Sequence, residues 1–154
     1  MLAKKDSKCY VCGPDNTVGL QVSFQPDGRN GSMAHYRARA EHGGWNGILH
    51  GGVTFALMDE ALGWALYYQN RPSVTARAET KFHKPVPVGA DVVVKAWVVR
   101  DRKWLIEARA EVRLEEADGT LLAETNATMY GIGSYGTESR DARSRQGEAE
   151  DGLA

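Results

Sequence analysis

Segments in which hydrophobic and polar residues alternate lie before and after one continuously apolar stretch in the middle of the chain. Extended segments are predicted from Leu20 to Gln25 and from Ser32 to Arg39, joined by a loop of hairpin composition. Residues Val53 to Gln69 contain no helix breaker except Gly63 and are apolar on nearly every side. This pattern indicates one long helix that is surrounded by protein.

Four more strands are predicted after the helix. In the first strand, strict alternation places Thr75, Arg77, Glu79 and Lys81 on one face and assigns the other face to Val74, Ala76, Ala78, Thr80 and Phe82. Residues 91–100 are rich in valine, residues 106–114 alternate, and residues 121–130 follow a turn. The element order predicts an α+β fold in which an antiparallel sheet wraps around one central helix.

The length of 154 residues fits one domain with a core of ordinary size. We assign residues 1–19 to an N-terminal lead-in segment, residues 20–136 to the domain, and residues 137–154 to a disordered, charged tail.

Charge and cysteine content narrow the classes of function. The formal net charge of -1 disfavours nucleic-acid binding. The apolar stretch is too short and too charged to cross a bilayer, so we expect no membrane partner. The only two cysteines are too few for a secreted disulfide scaffold, which favours a cytoplasmic protein.

The triplet His50-Gly51-Gly52 stands directly before the helix. Free backbone N–H groups and the helix dipole at such an end attract a developing negative charge. We therefore expect these residues to polarise a carbonyl oxygen. The alternative is a glycine-rich helix start that is capped by the histidine.

Asp59 is a carboxylate on an otherwise apolar helix, where an unpaired charge is costly. A functional interpretation is a general base for water or a nucleophile that attacks a carbonyl carbon. Glu60 is its competitor, but neighbouring helix positions point about 100° apart, so one cleft receives one of the two. We expect Asp59 to face the cleft and Glu60 to be partly exposed or at an interface; spacing leaves the reverse assignment open.

Cys9 and Cys12 form a Cys-x-x-Cys pair, which is compatible with zinc binding or redox chemistry. A structural zinc site normally has four ligands, and the chain has no second cysteine pair. Histidines or a second protomer would have to complete such a site. We expect no metal and two ordinary thiols in the lead-in segment.

The segments CYVCGPDNTVGLQVSF, NGILHGGVTFALMDEALGWA and TKFHKPVPVGADVVVKAWVV resemble hotdog-fold thioesterases of the PaaI-like type. The resemblance extends from about Cys9 to Tyr130. It implies dimers, or dimers of dimers, with active sites across the interface. It implies that His50 and Gly51 polarise the thioester carbonyl, that Asp59 is the catalytic carboxylate, and that the Thr75 hydroxyl comes from the partner subunit.

The resemblance implies an acyl-CoA thioesterase that acts on aromatic or medium-chain acyl groups. No separate cofactor is expected, because coenzyme A is part of the substrate. Whether Asp59 acts as nucleophile or general base, and whether carrier-protein thioesters are also cleaved, stays open. The alternative is a hotdog module that binds acyl-CoA without turnover; a carboxylate at position 59 favours the enzyme.

Further substrate contacts are expected around the helix entrance. Many relatives carry an amide side chain where this sequence has Gly43 and Gly44, which leaves neighbouring polar residues as substitutes. A tryptophan beside the entrance is placed to touch substrate, and a lysine is a partner for coenzyme A phosphates. The predicted substrate-binding residues are Gly52, Trp45, Asn46, His42 and Lys84.

Overall fold

One six-stranded antiparallel sheet and one long helix account for most of residues 6–133, the part of the chain that the computed structural model describes. The predicted tail, residues 137–154, lies outside the described residues. The sheet order is β1-β2-β4-β5-β6-β3, and a short 3-10 helix at Ala40–His42 precedes the long helix. The elements are β1 Phe24–Asp27, β2 Gly31–Arg37, α1 Gly51–Tyr67, β3 Ser73–Phe82, β4 Asp91–Arg102, β5 Leu105–Leu114 and β6 Leu121–Gly131.

The core lies between α1 and the sheet. On the helix side it contains Leu57, Met58, Leu62 and other residues that are at most 1% exposed. The predicted hotdog arrangement of one helix against an antiparallel sheet is confirmed. The flank of α1 with Phe55 and Asp59 stays half-exposed in the single chain, so the described residues surround the helix less completely than expected.

Strand β4 is buried on both faces near its start. Val92, Val93 and Val94 are each at most 1% exposed, although successive side chains point to opposite sides of a sheet. The valine-rich composition predicts this burial correctly. No helix among residues 6–133 has the length and apolar character needed to span a bilayer.

Strand β3 departs from strict alternation because it contains a bulge at Ala76. Thr75 pairs with Met129, whereas the next pair is Arg77 with Thr128. Paired residues lie on the same side of an antiparallel sheet, and Met129 is buried against the core. The prediction that Thr75 shares a face with Arg77 is therefore wrong, since the extra residue turns Thr75 toward the helix.

The lead-in segment is an ordered part of the fold from residue 6 onward. The backbone N–H groups of Leu20 and Val22 donate to the carbonyl oxygens of Tyr10 and Val11. Val11 is buried. Strand β1 consequently begins at Phe24, later than predicted, because the residues before it pair with the lead-in segment and not with β2.

Core packing predicts a large difference between two leucine truncations. Leu62→Ala removes a side chain with no exposure and should lower the free energy of unfolding by about 2–5 kcal/mol. The control Leu105→Ala truncates a side chain that is 52% exposed and should change it by about 0.5 kcal/mol. Urea denaturation of both variants measures the difference; equal losses would contradict this account of the core.

Candidate active site

His50 is the residue that caps the start of α1. Its Nδ1 atom accepts a hydrogen bond from the Gly52 N–H at 2.8 Å, and its carbonyl oxygen accepts from Val53 and Thr54. Since Nδ1 is the acceptor, the neutral ring carries its proton on Nε2. His50 therefore caps the helix, and the cap leaves one N–H donor, Nε2, on an exposed residue.

Gly51 and Gly52 have different roles at the helix entrance. The sequence predicts that Gly52 binds substrate, but its N–H is already bound to His50 Nδ1 in the structure. Gly51 is the first helical residue, and its N–H has no acceptor within residues 6–133. A Cβ atom added at Gly51 would meet only the Phe82 ring, 3.8 Å away. Gly51 thus offers the open donor.

The loop before α1 packs against His50 and accepts a hydrogen bond from its backbone N–H. A Cβ atom at Gly44 would lie 3.1 Å from the His50 Cα, which explains why a residue with a side chain does not fit there without a shift. The His50 N–H donates to the His42 carbonyl oxygen, and the His42 ring bonds the Tyr36 hydroxyl at 2.7 Å. Burial lowers the pKa of His42.

A cleft of about 800 Å³ opens beside the helix entrance. Of the predicted site residues, His50, Gly51, Trp45 and Lys84 line it. His42 and Asn46 do not line it, because His42 is engaged with Tyr36 and Asn46 points to solvent. Sequence reasoning missed the other lining residues of the segment around Lys84, namely Phe82, His83, Pro85 and Val86.

Asp59 and Thr75 meet on the other flank of α1. The Thr75 hydroxyl donates to Asp59 Oδ1 at 2.5 Å, within the range of short, charge-assisted hydrogen bonds. Both residues are half-buried. That the Thr75 hydroxyl comes from the partner subunit stays a prediction; within the single chain, it reaches Asp59 of the same chain. The bulge at Ala76 makes this contact possible.

The helix entrance and the Asp59–Thr75 pair are separate in a single chain. Asp59 follows Gly51 by eight positions, which corresponds to about 12 Å along a helix axis. Asp59 does not line the cleft. A thioester whose carbonyl oxygen is bound at Gly51 is therefore out of reach of Asp59 of the same chain, since acid–base partners act over about 3 Å.

Glu60 points away from Asp59 and toward the lead-in segment. The Cys9 thiol lies 3.7 Å from Glu60 Oε2 and donates to it, and Cys12 completes a half-buried group of three. Burial, followed by the neighbouring Glu60 carboxylate, raises the pKa of the Cys12 thiol. The adjacent carboxylates thus have different surroundings, as the 100° rotation predicts.

The family model of the thioesterase superfamily matches residues 46–120. This region contains the helix entrance, Asp59 and Thr75. The matched segment and the fold are those of the hotdog-fold thioesterase superfamily.

Three similar proteins illustrate the range of relatives. Human acyl-coenzyme A thioesterase 13 is 29% identical over 100 residues, which cover 64% of this chain and 71% of that protein. MIOREX complex component 3 of Saccharomyces cerevisiae is 37% identical over 81 residues, covering 49% of this chain and 30% of that protein. The chain therefore spans less than a third of the yeast relative. A solved mutant of the phenylacetic acid degradation protein PaaI from Thermus thermophilus gives a TM-score of 0.65 with 26% identity, covering 72% of this chain and 93% of that chain.

The capping role of His50 predicts a stability difference between two substitutions. His50→Ala removes the acceptor for the Gly52 N–H and should lower the free energy of unfolding by about 0.5–2 kcal/mol. His50→Asn keeps a side-chain acceptor and should retain most of that stability. Chemical denaturation of the two variants is the measurement, and identical losses would show that the hydrogen bond does not stabilise α1.

Proposed function

We propose that the protein hydrolyses acyl-CoA thioesters with an aromatic or medium-chain acyl group, in sites that two copies of the chain form together. The observation that carries the proposal is the Asp59 carboxylate, which Thr75 binds on a half-exposed side of an apolar helix. The names of the human relative and of the Thermus thermophilus relative support acyl-CoA and aromatic substrates, respectively.

The need for two copies follows from distance and from exposed apolar surface. Gly51 and Asp59 of one chain are about 12 Å apart along α1, too far to act on one carbonyl group. Strand β3 is an edge strand of the sheet, and its Phe82, which lines the cleft beside Gly51, is 57% exposed. A second copy packed along β3 and α1 covers this surface and brings its Gly51 toward the first chain's Asp59.

In the proposed mechanism, the thioester carbonyl oxygen accepts a hydrogen bond from the Gly51 N–H and from His50 Nε2. The Thr75 hydroxyl donates a hydrogen bond to Asp59 Oδ1. The second carboxylate oxygen, Oδ2, takes a proton from water as the water oxygen attacks the carbonyl carbon. When the tetrahedral intermediate collapses, the carbon–sulfur bond breaks and coenzyme A leaves as the thiol, with the proton that Asp59 took from water. The donors at the helix entrance lower the barrier because they bind the oxygen more strongly as its charge grows.

A second version of the mechanism uses Asp59 as the nucleophile. The carboxylate then attacks the thioester carbonyl carbon, and coenzyme A leaves as the thiolate. Water hydrolyses the resulting anhydride to two carboxylates, and one of the two protons released converts the thiolate to the thiol while the other goes to solvent. A single turnover in heavy-oxygen water reveals the second version when water attacks the anhydride at the Asp59 carbon. Direct water attack always places heavy oxygen in the acid, whereas attack on the Asp59 carbon of an anhydride leaves the first acid unlabelled.

The cleft beside the helix entrance fits the coenzyme A portion of the substrate. Trp45 lines the cleft and is 85% exposed, so its indole ring can pack against an extended ligand chain. Lys84 lines the same cleft and supplies positive charge for phosphate groups. A cytoplasmic location of the protein fits both an intracellular acyl-CoA substrate and the two free cysteines.

Replacing the proposed catalytic carboxylate should remove activity without unfolding the protein. With a panel of acyl-CoA esters, Asp59→Asn should lower kcat by about a hundredfold to ten-thousandfold, because Asn takes no proton. The control Asp91→Asn changes an exposed surface carboxylate that pairs with Arg37 and should keep full activity. Free thiol release is the measurement.

Two results of that assay would contradict the proposal. Equal activity in Asp59→Asn and wild type removes Asp59 from the reaction. Saturable binding of acyl-CoA by the wild type, with no ester of the panel cleaved, identifies a binding module instead of an enzyme.

A mixed dimer tests whether each site uses two chains. Gly51→Ala adds a methyl group that the protein itself accommodates but that blocks the approach of the carbonyl oxygen. A dimer of one Gly51→Ala chain and one Asp59→Asn chain, co-expressed and purified through two different tags, contains one intact site if sites are shared. It should have about half of the wild-type activity. If each chain holds a complete site, the mixed dimer stays as inactive as its two parents.

A further inference from the structure

The group formed by Cys9, Cys12 and Glu60 has no role in the proposed hydrolysis. The two thiol sulfurs and one carboxylate oxygen lie within 4.8 Å of one another, and all three residues are half-buried. Within residues 6–133, no other group of three or more histidine, cysteine or acidic side chains is close enough to share an ion. The carboxylate comes from α1 and the two thiols from the lead-in segment, so the group joins two parts of the fold.

The separations fit one tetrahedral ion. With zinc–sulfur bonds near 2.3 Å and zinc–oxygen bonds near 2.1 Å, a sulfur and an oxygen ligand stand about 3.6 Å apart. The observed distance from Cys9 Sγ to Glu60 Oε2 is 3.7 Å. Cys9 Sγ and Glu60 Oε2 are therefore at the spacing that an ion between them requires, and Cys12 Sγ lies within 4.8 Å of both.

The donor types select the metal. Two cysteine sulfurs and one carboxylate favour Zn²⁺, whereas Ca²⁺ and Mg²⁺ prefer oxygen ligands alone. The lead-in turn holds Cys9 in place, since the Gly13 N–H donates to the Cys9 carbonyl oxygen at 2.9 Å. A Cβ atom at Gly13 would lie 2.5 Å from backbone atoms of Cys9, which explains the glycine after the cysteine pair.

Because Glu60 supplies a third ligand that the sequence analysis did not consider, we propose, in place of the expectation of no metal, that Cys9, Cys12 and Glu60 bind one Zn²⁺ ion, with water as the fourth ligand. Binding replaces the thiol protons, which go to solvent, and the ion then joins two thiolates and the carboxylate. The ion links the lead-in segment to α1 one residue away from Asp59. This proposal does not rest on the proposed hydrolysis, because Asp59 and Thr75 are not ligands.

Metal titration of the full chain tests the site. The reduced, chelator-treated protein is mixed with Zn²⁺, freed of excess metal by gel filtration and analysed for zinc by mass spectrometry. One ion per chain is expected, and the double variant with Cys9→Ser and Cys12→Ser should retain none. Glu60→Gln should weaken binding by about tenfold or more. Asp59→Asn should bind zinc like the wild type while losing any thioesterase activity, which keeps the two proposals separate.

Cobalt provides a readout that needs no variant. Co²⁺ in this site should give the intense sulfur-to-metal charge-transfer band of thiolate ligands and visible bands typical of tetrahedral coordination. Absence of the charge-transfer band in the wild type overturns the proposal. Zinc binding that survives in a folded double serine variant overturns it as well, and so does a Cys9–Cys12 disulfide that persists without metal in a glutathione buffer.

Discussion

Two adjacent carboxylates on an apolar helix are the constraint around which this chain is arranged. Asp59 and Glu60 stand next to each other on α1, where isolated charges are costly. Their side chains leave the helix about 100° apart, so each needs its own neighbour. Strand β3 supplies the Thr75 hydroxyl for one, and the lead-in segment supplies the Cys9 thiol for the other. The same helix turn therefore determines what packs on both of its flanks.

The start of the helix is organised by hydrogen bonds that involve no carboxylate. His50 binds the Gly52 N–H, and its own N–H binds the His42 carbonyl oxygen. These contacts hold the ring and the Gly51 N–H in place before any ligand arrives, which is what electrostatic stabilisation of a developing oxyanion requires. In the proposed dimer, a rigid donor group from one chain faces a carboxylate whose position the other chain determines.

The features that depend on local pattern are the ones that the sequence predicts well. A breaker-free apolar stretch is enough to identify α1, and glycines beside a histidine are enough to mark its entrance. Position 59 is conspicuous because it is charged in an apolar context. The Cys9–Glu60 contact joins residues that are 51 positions apart, and no local pattern contains that information. The hydrogen bond to the Gly52 N–H is one of two alternatives that the sequence offers for His50, and the sequence does not decide between them because the bond depends on one rotamer of His50.

Strand β3 shows that a single inserted residue makes the strand faces predicted from alternation wrong on one side of it. Alternation assumes an unbroken ladder, and one bulge reverses the faces of every residue before it. Because Ala76 is the inserted residue, a homologous strand shorter by one residue at this point would carry the same inward hydroxyl on a regular ladder. An alignment without a gap at the bulge would match Thr75 to a residue of the other chain that faces the opposite side of the sheet. Equivalent residues in this strand are therefore better identified by which side chain faces the helix than by counting positions.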